Sequence, residues 1–183
     1  IGNIGIRHLE SILKTKSQKS IFIFDLDQKK LANAEDLFRK NKNDLVKLTS
    51  ISKFSDLPKN LDFLILATPS LNLISTLKKI KSNIKHLIVE KVLASSKKEL
   101  EYWSNLQKSN DSIYVNLPFF YENIFNYLSK EFGEINEVTF EGSELNFACN
   151  LVHYLDILEK LFDKEIQKLK IKHSDLNWCE SKR

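Results

Sequence analysis

Methionine is missing altogether from the 183 residues, and glycine (four), proline (three) and cysteine (two) are scarce. Two cysteines, Cys149 and Cys179, make no disulfide framework and fit a reducing compartment, so the expected location is cytoplasmic. No apolar run approaches the roughly 18–20 residues that a membrane span needs. The opening residues carry no secretory signal pattern, so no membrane partner is expected. Charge of neither sign dominates: 28 Lys and Arg face 24 Asp and Glu. The net +4 is spread along the sequence and leaves no basic footprint for nucleic acid. There are no internal repeats and no low-complexity linker. The absence of methionine, with an opening at Ile1-Gly2 inside a glycine turn, gives the expectation of a piece of a longer chain.

What is present is an ordinary globular composition, 42% apolar and 28% charged, which excludes intrinsic disorder. Along the chain, strand and helix patterns alternate. Residues 4–16 place Ile4, Leu9, Ile12 and Leu13 at helical spacing, and 20–25 form a short apolar run. Residues 28–41 read as a helix with Leu31, Ala34, Glu35 and Phe38 on one side, and 44–50 as a weaker strand. Residues 61–67 read as a strand buried on both faces, 71–80 as a helix and 86–89 as a strand. A helix over 96–108 has its apolar stripe through Leu100, Trp103 and Leu106, and 112–116 complete the series. The fold class this implies is α/β, a Rossmann-type doubly wound parallel sheet over residues 1–118. Past Pro118 the rhythm changes: a helix over 120–131 ended by Gly133, an alternating strand over 134–141, a helix over 150–162 and a strand over 166–171. Residues 119–183 are therefore expected to be the start of a mixed α+β substrate domain.

The first chemistry lies at the opening turn. Gly2-Asn3-Ile4-Gly5 precedes a helix and is followed by the strand ending in Asp25. A dinucleotide fold needs one glycine where backbone approaches the pyrophosphate and another where helix packs on strand. Gly2 and Gly5 have the spacing of the second and third glycines of G-x-G-x-x-G, which places the first glycine and the strand before it upstream of Ile1. The helix terminus offers free N–H groups to phosphates. Asp25 follows about 20 residues later, where an acid bonds the ribose hydroxyls and favours NAD over NADP. Lys29 and Lys30 weaken that preference and keep NADP open. Two glycines in a short turn have a plainer explanation, a tight turn and nothing more.

Ala67-Thr68-Pro69 stands at the carboxyl end of a strand, where open α/β sheets bind ligands, and Glu90-Lys91 stands at the same end of the next. Lys91 would point into that crevice, where an ammonium orients a hydroxyl or shares in proton transfer. The plainer alternative is a solvated Glu-Lys pair.

These elements, GNIGIRHLESI, the acid of FDLDQKKLA, DFLILATPS and HLIVEKVLA, occur in an order that resembles the Gfo/Idh/MocA oxidoreductases. The resemblance covers residues 1 to 118 and continues more loosely through GSELNFACNLVHYLDIL. It implies an NAD(P)-dependent dehydrogenase acting on a sugar, inositol or nucleotide-sugar, and a homo-oligomer when full length. Arg7-His8 match the family's R-H pair, and Glu90-Lys91 match its E-K, so the resemblance makes Lys91 catalytic. His153 matches the histidine of the second-domain D-x-x-x-H, expected to move the substrate's proton. Asn150 would hydrogen-bond substrate. The departures are Val92 for the proline of E-K-P, Leu73 near a missing histidine, and Cys149 in the acid position of D-x-x-x-H.

In a helix, Cys149 and His153 share a face and Asp156 follows His153 by one turn, placed to orient its imidazole. Cys149, His153 and Asp156 as a metal site, or Cys149–His153 as a nucleophile pair, have nothing else behind them, and no metal is expected. His86, His173, Trp178 and the aromatics Phe119, Phe120 and Tyr121 are expected to be structural. A non-catalytic nucleotide-binding or scaffold protein that kept the fold is the alternative, and a different Rossmann ligand such as S-adenosylmethionine fits the ordered motifs less well.

Overall fold

Short apolar and β-branched runs form the strands of this chain, and amphipathic stretches between them form the helices. The computed structural model describes residues 1–41, 43–109, 112–117, 127–128, 130–131, 133, 136–141, 147–162 and 166. In chain order the elements are α1 (Asn3–Leu13), β1 (Lys19–Ile23), α2 (Gln28–Lys40), β2 (Val46–Ser50) and β3 (Asn60–Leu66). Then follow α3 (Leu73–Leu77), β4 (Asn83–Glu90), α4 (Lys97–Ser109), β5 (Ile113–Asn116) and α5 (Phe147–Phe162). The start of α2 is fixed by Asp27, whose carboxylate accepts the Lys29 backbone N–H at 2.9 Å. Its end carries Arg39 and Lys40, cations favoured by the helix dipole.

All the described strand pairs are parallel, so the protein is an α/β protein. β1 pairs with β2 from Lys19 opposite Val46 to Ile23 opposite Ser50. β4 lies between β3 and β5, with Leu66 opposite Val89 and Glu90 opposite Asn116. The parallel strands expected from the sequence are present, but they form a pair and a triplet, with no ladder between β1 and β3.

Each sheet has its own core. Leu9 and Leu13 of α1 meet Ile23, Leu31, Ala34 and Val46 in the first. Leu66, Leu73, Leu87, Val89 and Trp103 form the second, with α3 and α4 on the same face of the triplet. Each fully buried Leu or Val contributes roughly 1.5–3 kcal/mol. The Phe24 ring lies 4.3 Å from that of Phe54, which packs on the second core.

Several sequence expectations are corrected by this packing. Ile4 is 42% exposed, because the buried line of α1 runs through Gly5, Leu9 and Leu13. Leu100 is likewise exposed at 57%, since Trp103 alone on α4 is fully buried and Tyr102 and Leu106 flank it. The β3 strand is not covered on both faces: Phe63 is 62% exposed, stacked on His86 at 4.9 Å, on the face opposite α3 and α4. The helix expected over 71–80 shortens to α3, preceded by a 3-10 turn at Ser70–Asn72 that leaves Pro69. Residues 136–141 form no strand, for alternation supplies a face but not a partner ladder. The strand expected over 166–171, His173, Trp178, Cys179, Phe119, Phe120 and Tyr121 lie outside the described residues, Ile166 excepted.

The chain divides into two units, Ile1–Leu117 and Pro118–Arg183. Among the described residues no helix is long and apolar enough to cross a membrane.

Candidate functional site

The amino end of α1 is the best-defined feature. Gly2 is the N-cap, with φ −78° and ψ −167°, an extended conformation open to any residue. A Cβ built on Gly2 would meet nothing within 4 Å, so neither backbone strain nor packing calls for glycine there. Among the described residues no side chain caps the helix, which leaves the N–H groups of its first turn open to solvent or a ligand. Asn3 and Ile4 are exposed beside this opening. Gly5 differs: it lies inside α1 and is buried, and a Cβ on it would stand 2.8 Å from Ile1 Cγ1.

Asp25 stands two residues past the end of β1, next to this turn. Its Oδ2 accepts from the Ile1 amino group, which also donates to the Phe24 carbonyl at 3.1 Å. Its Oδ1 accepts the Asp27 N–H at 2.9 Å. Burial by itself raises the Asp25 pKa, but the hydrogen bonds from the Ile1 amino group and Asp27, with the charges of that amino group and Lys30, outweigh it. They hold the carboxyl below its ordinary 3.8. Asp25 is thus an ionised, acceptor-only group beside the opening at Gly2.

At the carboxyl end of β3, Ala67 and Thr68 are half-buried and Pro69 is exposed. Thr68 Oγ1 is buried and has no hydrogen-bond partner among the described residues, an orphan that a bound polar group would satisfy. Leu26 and Leu71, at 89% and 78%, are the two most exposed large apolar side chains described, and they follow β1 and β3 at the same ends as Asp25 and Thr68. Sequence reasoning passed over both leucines. For Leu26 the signal was available, since it lies just past a strand end and outside any periodic pattern, whereas Leu71 falls at the start of the helix expected over 71–80.

At the end of β4, Glu90 is 9% exposed. Its Oε1 accepts from His8 Nε2 and from Asn116 Nδ2, each at 2.6 Å. The solvated Glu-Lys pair is thereby excluded for Glu90, and Lys91 beside it is half-buried. Leu73 is 1% exposed and serves the core. The involvement of Asn116 was not foreseen. Only the register of β4 against β5 puts it opposite Glu90.

In the second unit α5 carries Asn150, half-buried, and His153, 8% exposed, with Ile157 one turn on at 8%. Cys149 lies within the same helix, four residues before His153. Asp156 Oδ2 is buried without a hydrogen-bond partner among the described residues. Burial raises the Asp156 pKa above 3.8, with Glu159 adding to the rise and Lys160 and His153 opposing it. Among the described residues no three His, Cys, Asp or Glu side chains group as a metal site. Gly2, Asp25, Thr68, Glu90 and Lys91 belong to the first unit, Asn150 and His153 to the second.

No protein-family model matches the chain, and no curated protein matches it significantly.

Proposed function

We propose that this chain is an NAD(P)-dependent oxidoreductase of the Gfo/Idh/MocA type, built on a Rossmann-type doubly wound sheet. The observation that carries it is the uncapped amino end of α1, where Gly2 leaves open space beside an ionised Asp25. Strand order supports it too. A pair and a triplet of parallel strands, with the first helix entering ahead of β1, are compatible with the two halves of a dinucleotide-binding sheet.

The residues present fit a dinucleotide. Gly2, Asn3, Ile4 and Gly5 would hold the pyrophosphate on helix N–H groups, and Asp25 would accept ribose hydroxyls, favouring NAD. Thr68 would donate to a polar group at the end of β3, between Ala67 and Pro69, with Leu26 and Leu71 offering apolar surface. Bound NAD would supply a hydride acceptor for oxidation of a carbinol to a carbonyl. Lys91 would orient and polarise that oxygen; for the second unit, the resemblance alone implies that His153 handles a proton and Asn150 hydrogen-bonds substrate. Cys149 in the family's acid position leaves His153 as the proton acceptor of that helix.

The test is a fluorescence titration with NADH and then NADPH, run beside Asp25→Ala. The expected outcome is saturable binding, tighter for NADH, with the preference reduced in the variant. Absence of binding by folded protein would overturn the assignment and leave a scaffold that kept the turn without the ligand.

A further inference from the structure

Among the described residues the pair and the triplet of strands share no ladder hydrogen bond, and side-chain contacts link one to the other. One such link is the Phe24–Phe54 ring contact. Another is polar and lies at the carboxyl ends of the strands. His8, on the second turn of α1, reaches Glu90 at the end of β4, and the same Glu90 oxygen takes the amide of Asn116 at the end of β5. Glu90 and His8 are both shielded, with side chains 11% and 22% exposed. A carboxylate only accepts, so His8 must present Nε2–H to it. The bond is charge-assisted and short, and such bonds are stronger than neutral ones.

We propose that His8 and Glu90 are positioning residues that set the distance between the phosphate turn and Lys91. α1 carries the turn at one end and the His8 bond a little further along, while Glu90 is joined directly to Lys91. Asn116, opposite Glu90 in the β4–β5 register, keeps the carboxylate turned toward His8 rather than toward solvent. Neither His8 nor Glu90 needs to touch a ligand for this. The role rests on the dinucleotide assignment above, because it concerns the two halves of one extended ligand. The pyrophosphate half would rest on α1 and the nicotinamide half would come beside Lys91.

A ligand confined to the α1 side separates this role from a merely structural one. ADP carries the adenosine and pyrophosphate and lacks the nicotinamide half. Affinities of ADP and NADH are measured for the unmodified chain, for His8→Ala and for His8→Gln, whose amide keeps a donor toward Glu90. The expected result is that His8→Ala weakens NADH about tenfold more than ADP, the scale of one charge-assisted hydrogen bond. His8→Gln restores the ratio to within about threefold of the original. Equal weakening of both ligands, or an unchanged ratio, overturns the positioning role. Should His8→Ala fail to fold, His8→Asn, too short to reach Glu90, is read in its place by the same criterion. An unmodified chain that binds neither ADP nor NADH refutes the dinucleotide assignment itself, a distinct outcome.

Discussion

Replacing Gly2 by alanine should leave the fold nearly untouched and the ligand site damaged. The added Cβ meets no atom within 4 Å, and φ of −78° suits any residue. Two small effects oppose each other. Alanine is a poorer N-cap than glycine, at a cost of roughly 0.5–1 kcal/mol, and a less flexible unfolded chain returns about 0.4–1 kcal/mol. The net change in unfolding free energy should stay within about 0.5 kcal/mol. A methyl group in the space where a pyrophosphate approaches should weaken NADH at least tenfold, about 1.4 kcal/mol. Gly5→Ala is the internal contrast. Alanine gains about 1 kcal/mol as a helix former. Its Cβ, however, would lie 2.8 Å from Ile1 Cγ1, and Ile1 is tethered through its amino group to Phe24 and Asp25. Overpacking of this kind costs about 1–3 kcal/mol, so Gly5→Ala should lose stability on balance. Urea unfolding and NADH titration on both variants form the assay. Undiminished NADH affinity in Gly2→Ala, or a stability loss above about 1.5 kcal/mol there, would refute the assignment of that space to a ligand.

Two acids should show opposite pH behaviour. The Asp25 carboxyl is held below 3.8 in the folded chain, so it contributes stability that is complete above 3.8 and is lost as pH falls through the lower folded value. In a chain that begins at Ile1, Asp25→Asn should therefore be less stable than the unmodified chain at neutral pH, with the difference closing in strong acid, as read by urea unfolding from pH 7 downward. Asp156 is raised above 3.8 mainly by burial, so its ionised form opposes folding, and that penalty sets in as pH rises from 3.8 through the folded value. Asp156→Asn should unfold later than the unmodified chain at pH 7 and with equal ease at pH 3; a destabilised variant at pH 7 would show that the carboxylate has a partner worth more than its burial costs.

Much of the architecture was legible because its signals are local. The apolar runs of β1 and β4, and Trp103 on the stripe of α4, follow from neighbours in sequence. The errors share one cause. Ile4, Leu100 and Phe63 have apolar side chains on periodic patterns, yet each is exposed, because a pattern nominates a face and only the packed neighbours decide how wide it is. The alternation over 134–141 failed at residues 136–141 for the same reason, since a strand exists only where a second one bonds to it.

The candidate site divides along the same line. Sequence alone determined its chemical inventory: glycines opening a helix, an acid past the first strand, a Glu-Lys pair past another, and a histidine on a later helix. Tertiary structure decided what those groups do to one another. It separated Gly2, whose missing side chain faces open space, from Gly5, whose missing side chain makes room for Ile1. It also turned Glu90 inward to His8 and Asn116, residues 82 and 26 positions away. No local pattern encodes such a bond, because it depends on helix α1 crossing from one strand set to the other, and that crossing is fixed by the packing of the whole unit.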